Sequence, residues 1–402
     1  MVDYIQQFKD RHLFHQCTNE EDLNNQLNKE KSSFYIGFDA TSDALHAGSL
    51  VQLRAIKQLV KLGHQAIILL GGGTTKVGDP SGKDESRKIL EYETINNNIE
   101  NFKRIFNHYF RDYKDNITYV NNDTWLSDLN YIELLRTVGS HLSINRMLTF
   151  ESVKERLKRE QSLSFLEFNY MVLQSYDFYY LNKNHNCSLQ IGGSDQWGNI
   201  VLGIELISKI SKKDSYGLTT PLLTTSSGKK MGKTEQGAVW IDKEKFNSFD
   251  FFQYWRNVDD KDVEKLLLIF SDLDKEEITS LIQEDINKAK KKLALVVTSD
   301  CHTKEDALAA EQKATDLFEN KNFDQDVDLI QINNDVSLKL TDILAINNLI
   351  PSKSEAKRMI ENSGIKINDI AINDINHEIT DKDEGSILRI GKKRIFKISF
   401  KN

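Results

Sequence analysis

Residues 34–73 read FYIGFDATSDALHAGSLVQLRAIKQLVKLGHQAIILLGGG. Phe34 to Phe38 alternates like a strand, and Leu45 to Leu62 carries a helical apolar period that stops at Gly63. Gln65 to Leu70 is a short apolar strand running into Gly71, Gly72 and Gly73. Strand, helix and strand in this order make a βαβ unit, which calls for a parallel sheet with helices on both faces. Within the first strand, a period of two sets Tyr35, Gly37 and Asp39 on one face and Phe34, Ile36 and Phe38 on the other. Polar groups and a glycine therefore point one way at the carboxyl end of a strand, where parallel sheets bind ligands. Thr41 and His46 flank the turn into the helix, whose free N–H groups favour phosphate. An ordinary strand–turn–helix with a polar cap fits the same residues.

Outward from this unit, strand-like and helix-like patterns alternate through residue 225, with a mostly helical stretch at about 124–185. Ser188 to Ile191 reads as a further strand, and Gly192-Gly193 opens a helix running to about Ser211. The expected organisation is α/β. A Rossmann-like parallel-sheet domain spans 1–225, and a lysine loop with an α-helical domain spans 226–320. A linker rich in Asn and Asp follows at 321–335, then a small α/β module at 336–402 with two helices and strands near 365–367, 386–390 and 394–400.

Four more segments carry chemistry. Gly71-Gly72-Gly73 leads to Gly78-Asp79-Pro80-Ser81-Gly82-Lys83, with Arg87 close behind. Its glycines admit close backbone approach, Asp79 suits an amino group, and Lys83 and Arg87 suit phosphate; a flexible turn is the plainer alternative. The Walker spacing is absent. Tyr170, Gln174 and Asp177 fall at i, i+4 and i+7 and share a helix face, either a buried polar pocket or a solvated side. In Gly192-Gly193-Ser194-Asp195-Gln196-Trp197-Gly198-Asn199, a strand ends in two glycines and a carboxylate suited to ribose hydroxyls, or to capping the next helix. Finally, Gly228-Lys229-Lys230-Met231-Gly232-Lys233-Thr234 reads as a cationic arm, of the kind a triphosphate transition state needs, or as a generic basic loop.

Composition narrows the class. The 402 residues are 39% hydrophobic and 28% charged, which fits a globular protein of two or three domains. No apolar run approaches eighteen residues, and the N-terminus lacks a basic segment followed by an apolar one. Cys17, Cys187 and Cys301 are far apart, and the nine histidines lack ligand spacing, so the expectation is a reduced cytoplasmic protein without a zinc site. The net charge of −7 argues against a nucleic-acid coat. Residues 336–402, however, hold 12 Lys/Arg against 9 Asp/Glu, a weak signal for RNA contact.

Taken in order, these segments resemble the bacterial-type tyrosyl-tRNA synthetases, class I aminoacyl-tRNA synthetases. His46-Ala47-Gly48-Ser49 is similar to the family's HIGH signature and Lys230-Met231-Gly232-Lys233-Thr234 to its KMSKS signature; the segment 192–199 is the most family-specific. Ser49 stands where the second histidine would be, and Gly232 and Thr234 stand where serines would be. Ser352 to Asn368 is similar to an RNA-binding fold of a small-subunit ribosomal protein. Ser352 and Glu355 form an expected capping box there, on a helix displaying Lys353, Lys357 and Arg358 toward tRNA.

The resemblance implies ATP-dependent activation of tyrosine to an adenylate and transfer to the terminal ribose of its tRNA, without a nucleophilic side chain. Thr41, His46, Lys83, Arg87, Lys230, Lys233 and Thr234 would act on the phosphates, and Ser49 would help hold the nucleotide ribose. Tyr35 and Asp177 would meet the substrate phenol, with Asp79, Tyr170 and Gln174 around its ammonium group. Gln196 would serve the adenylate end, and Asp39, Gly48, Gly192 and Asp195 the nucleotide. Magnesium would come with the phosphates, with no dedicated metal cage, and a homodimer is implied by the family alone. The nearest rival, a tryptophanyl-tRNA synthetase, is opposed by the Tyr35–Asp177 pair and the basic tail. A non-catalytic RNA-binding descendant is opposed by the presence of His46, Lys230 and Lys233. The remaining alternative is an unrelated nucleotide-binding α/β protein.

Overall fold

The computed structural model describes residues 2–29, 31–81, 90–234, 237–318, 327–333, 339–391 and 394–401. Two units divide the chain, Met1–Leu308 and Ala309–Asn402. Six strands make the sheet of the first: β1 (Gln16–Cys17), β2 (Ser33–Phe38), β3 (Gln65–Leu70), β4 (Ile117–Asn121), β5 (Cys187–Gly193) and β6 (Tyr216–Thr220). Their order is β1-β6-β5-β2-β3-β4. All neighbours are parallel except β1, which pairs antiparallel with β6 at the edge. The chain moves from β2 to β3 and β4 on one side, and from β5 to β6 on the other. Direction across the sheet thus reverses between β2 and β5, and the carboxyl ends of those strands flank a crevice.

Helix α1 (Leu50–Lys61) joins β2 to β3, α2 (Tyr92–Tyr109) runs between β3 and β4, α3 (Phe165–His185) precedes β5, and α4 (Trp197–Ser211) joins β5 to β6. Right-handed crossovers leaving in opposite directions put α2 and α4 on opposite faces. The Phe38 ring meets Phe106 of α2 at 4.9 Å, while Tyr35 meets Phe178 of α3 at 5.3 Å. The two faces read from strand alternation are therefore the two packed layers. Ser164 starts α3 with a full capping box to Glu167, whose buried carboxylate also pairs with Arg156 at 3.1 Å.

The first helix begins later than its periodicity suggests. Leu45 and His46 are extended, with Ala47 N–H donating to Val239 O and Ile241 N–H donating to Leu45 O. A short turn, Ala47–Ser49, then leads into Leu50. Pairing with a segment so distant in sequence overrides the local helical pattern. The strand at 188–191 is also longer, because Gly192 and Gly193 continue its ladder opposite Thr219 and Thr220.

Beyond β6, a two-residue pairing joins β7 (Lys233–Thr234) to β8 (Gly237–Ala238). Helices α5 (Ser248–Arg256), α6 (Val263–Phe270), α7 (Lys275–Glu284), α8 (Ile286–Cys301) and α9 (Lys304–Phe318) follow. Buried Arg54 of α1 donates to Ser271 O at 2.9 Å and pairs with Asp272, tying α1 to the end of α6. Among the described residues no helix is long and apolar enough to cross a membrane.

The second unit contains β9 (Asp328–Asn333), α10 (Leu340–Ile346), α11 (Lys353–Glu361), β10 (Ile365–Ile367), β11 (Ile370–Ala371), β12 (Ile387–Ile390) and β13 (Arg394–Lys401). Its sheet order is β11-β10-β12-β13-β9, and β9 lies parallel to β13. The stretch read as a linker thus supplies an edge strand, with Ile330 and Ile332 buried in the unit's own core beside Leu340, Ile360, Leu388 and Ile398.

Candidate active site

Asp39 stands one residue beyond β2. Its Oδ1 accepts from Thr74 Oγ1 at 2.7 Å and its Oδ2 from the Tyr170 hydroxyl at 2.9 Å. The carboxylate leaves no room for a side chain at position 71, since a Cβ on Gly71 would lie 2.2 Å from Asp39 Oδ1. Gly71 is therefore a steric requirement of this carboxylate, while Gly72 and Gly73 are crowded by Asn121 and Leu126 instead.

Asn122, fully buried just past β4, extends the network. Its Nδ2 donates to Thr74 Oγ1 at 3.0 Å and to Asp177 Oδ2 at 2.9 Å, while its Oδ1 accepts from Gly73 N–H at 2.8 Å. Trp125 Nε1–H donates to the other Asp177 oxygen at 2.7 Å. Burial pushes the Asp177 carboxyl up to about 7; those two donors oppose the rise and the charge of Asp39 adds to it. Tyr35 is 1% exposed, and its hydroxyl has no hydrogen-bond partner among the described residues. Burial first, and the negative charge of Asp177 second, hold that phenol well above its ordinary range. A buried hydroxyl without a partner costs about 1–3 kcal/mol. Here it lies within the electrostatic reach of a carboxylate that has room for a further donor.

A second polar chain starts at Asp79, which accepts from Ser81 N–H at 2.9 Å and from Gln196 Nε2 at 2.7 Å. Asn199 Nδ2 then donates to Gln196 Oε1 at 3.3 Å and to Gln174 Oε1 at 2.9 Å. The loop after β3, the turn after β5, and helices α3 and α4 are thereby joined. Asp195 is exposed on that turn, directly after Gly193.

Segments 45–47 and 239–241 pair with each other beside the start of α1. His46 Nδ1 accepts from Gly48 N–H at 3.0 Å, so the neutral ring carries its proton on Nε2. Ser49 precedes α1 yet makes no capping bond to it. Thr41 is exposed. Gly232 has φ +96°, and a Cβ there would sit 2.7 Å from Gly48 N and 3.0 Å from His46 Nδ1. The glycine in the second signature, where a serine was expected, is thus explained by close backbone contact with the first.

The structure brings together Tyr35, Asp39, Asp79, Tyr170, Gln174, Asp177, Gly192 and Gln196 by bonds or strand ends around one crevice. Lys83 and Arg87 lie outside the described residues. Lys230 is exposed; Lys233 and Thr234 form β7, and their side chains also lie outside what is described. In the second unit Lys353, Lys357 and Arg358 are exposed on α11. Only half of the expected capping box forms there. Ser352 Oγ accepts from Glu355 N–H at 3.2 Å, but the Glu355 carboxylate turns to Arg358 at 2.6 Å. Lys353 pairs with Asp342 at 3.1 Å.

Four members of the network escaped the sequence reading: Thr74, Asn122, Trp125 and Asn199. Asn122 follows a parallel strand, so the rule that singled out Asp39 applies to it once β4 is recognised. Asn199 lies inside the quoted 192–199 segment. Nothing local marks Trp125, whose role depends on the Asp177 carboxylate.

Comparison with known proteins identifies the family of the chain. Residues 27–319 match the family model "tRNA synthetases class I (W and Y)", and residues 319–398 match "Tyrosine--tRNA ligase SYY-like C-terminal domain". The chain is 49% identical to a tyrosine--tRNA ligase of Pelagibacter ubique, covering 99% of each. It is 48% identical to one from the Wolbachia of Brugia malayi, covering 98% of each. Among solved structures, a C-terminally truncated mitochondrial tyrosyl-tRNA synthetase of Aspergillus nidulans aligns with TM-score 0.71 at 28% identity, covering 79% of this chain and 95% of that one.

Proposed function

The chain belongs to the class I tyrosine–tRNA ligases, and from that premise we propose how its residues divide the reaction. The activity joins tyrosine to ATP as an adenylate and passes the tyrosyl group to tRNA. Tyrosine enters beside β2 and α3, where its phenol hydroxyl donates to Asp177 and accepts from the orphaned Tyr35 hydroxyl. That buried, unpartnered hydroxyl next to a carboxylate already holding two donors is the observation that carries the reading. A site that satisfies a substrate hydroxyl rejects the analogue lacking it by roughly 10⁴–10⁵-fold, a range for which this enzyme family is itself the worked example, so the figure is carried over and not predicted.

Asp79, Tyr170 and Gln174 serve the ammonium group, supported by their place on the two polar chains. The substrate carboxylate then attacks the α-phosphate, and pyrophosphate leaves. Magnesium enters with ATP as part of that substrate. The protein's part is to hold the reactants in line and stabilise charge on the phosphates. We assign this to Thr41, the Nε2–H of His46, Lys83, Arg87, Lys230, Lys233 and Thr234. Ser49 suits ribose contact because its hydroxyl is not spent on capping α1. Asp39, Gly48, Gly192, Asp195 and Gln196 complete the nucleotide side. In the second step a terminal ribose hydroxyl of tRNA attacks the tyrosyl carbonyl and AMP departs.

Lys353, Lys357 and Arg358 on exposed α11 offer cations to tRNA phosphates. A homodimer is favoured by apolar side chains exposed between residues 131 and 166, among them Ile132 at 63%, Ile144 at 64% and Phe165 at 71%. The working compartment is the cytoplasm. The test is exchange of pyrophosphate into ATP with tyrosine, phenylalanine or tryptophan. Exchange with tyrosine alone is expected; exchange with phenylalanine within tenfold of tyrosine sinks the assignment of Tyr35 and Asp177.

A further inference from the structure

The loop bearing Lys229 and Lys230 is a closed turn. Thr225 N–H donates to Lys229 O at 2.8 Å, Gly228 N–H to Thr225 O at 2.9 Å, and Met231 N–H to Leu223 O at 2.8 Å. Residues 226–230 are exposed at its tip. Its base is fastened to the helices that follow. The Tyr254 hydroxyl on α5 accepts from Gly232 N–H at 3.3 Å. Asp262 Oδ1 accepts from Ser226 N–H at 2.6 Å, and Lys265 Nζ on α6 donates to Thr224 O at 3.2 Å.

Asp262 is the informative member. It stands at the N-cap of α6, where an aspartate ordinarily accepts from the second or third helical amide, yet it makes no capping bond to its own helix. It is 3% exposed. A buried carboxylate has thus given up its local role to hold a loop amide thirty-six residues upstream. The same stretch of chain is anchored from the far side by the contact of Gly232 with Gly48.

We propose that Tyr254, Asp262 and Lys265 form a latch of positioning residues that holds the lysine turn at the height adenylation requires, without touching substrate. This rests on the reading that Lys230 and Lys233 meet the ATP phosphates. Because the latch acts on groups used in the transition state, its loss lowers kcat and leaves KM for tyrosine in place.

The experiment measures tyrosine-dependent pyrophosphate exchange and amide hydrogen exchange over 223–232 in the full chain. The variants are Tyr254→Phe, Asp262→Ala, Asp262→Asn and Lys230→Ala. Asp262→Asn keeps an oxygen able to accept from Ser226 N–H, so it rescues. Asp262→Ala and Tyr254→Phe are each expected to lower kcat about tenfold, as loss of one hydrogen bond in a positioned loop implies. Amide exchange should be faster in the loop peptide, with KM for tyrosine within twofold. The latch is overturned if both variants keep kcat within twofold of the parent. It is equally overturned if Asp262→Asn and Asp262→Ala fall together with a lowered melting midpoint, the mark of a merely structural role. If Lys230→Ala leaves exchange untouched, the underlying reading of the loop fails, and that result is distinct from failure of the latch.

Discussion

At the scale of single residues, Asp177 and Gly232 make the sharpest demands. The Asp177 carboxyl, pushed up to about 7 by burial, must be ionised to accept a third donor from the substrate. Its kcat/KM for tyrosine is therefore expected to fall about tenfold per pH unit below 7, since that ratio reports the free enzyme. Asp177→Asn should be poor throughout and lose this dependence. A pH profile of exchange from 5.5 to 8.5 checks it. The same shift bears on stability: with a folded value above the ordinary 3.8, this group favours the fold at low pH, and that contribution is lost as pH rises through about 7. Gly232→Ala puts a side chain at φ +96° against Gly48 N. The left-handed conformation alone costs about 1–2 kcal/mol. Adenylation should drop at least about tenfold while tyrosine binding, read by fluorescence titration, is kept. Much of this site was legible in the sequence because Tyr35, Asp39 and the 170–177 face lie on regular periods. Asn122 and Trp125 were not, because they belong to the site only through hydrogen bonds to Asp177 on a helix distant in sequence.

Elements show the same division. The parallel core was readable from one βαβ unit, since short apolar strands ending in glycine have few other uses. The start of α1 was misplaced because Leu45 fits a helical period, yet its backbone is claimed by Ile241. Strand β9 was hidden by an Asn- and Asp-rich surrounding, although Ile330 and Ile332 keep a period of two. The tie between α1 and α6 yields a prediction. Arg54 is 1% exposed and relies on Ser271 O and Asp272, with Lys61 on the other Asp272 oxygen at 2.6 Å. Those cations hold the Asp272 carboxyl well below its usual range. Asp272→Ala leaves a buried guanidinium half satisfied and is expected to destabilise by about 2 kcal/mol at pH 7. The difference from the parent should begin to shrink as pH falls below the ordinary 3.8, because the unfolded chain's Asp272 takes up a proton there while the folded one is still ionised, and it is lost only at much lower pH. Urea denaturation at pH 7 and 3.5 measures both.

For the whole molecule, the two units have separate cores, so they can be parted. A chain ending at residue 318 keeps every strand of the first sheet and all of the crevice. It is expected to retain tyrosine-dependent pyrophosphate exchange within about threefold while aminoacylation of tRNA falls by 10² or more, since the cations proposed to meet tRNA phosphates are removed. Equal loss of both activities would mean that the tail supports the catalytic unit directly.

The pairing of residues 45–47 with 239–241 has a consequence for how the protein comes into being on the ribosome. Leu45 O waits for the amide of Ile241, a closure across nearly two hundred residues. The sheet's earlier strands are synthesised long before the segment 239–241. A nascent chain released before Ile241 emerges carries nearly all of the sheet and the amino-acid pocket but no finished nucleotide site. Such a fragment lacks the groups proposed for the phosphates and also the Ser271 and Asp272 partners of buried Arg54, so premature termination would silence the enzyme rather than leave a partly active one.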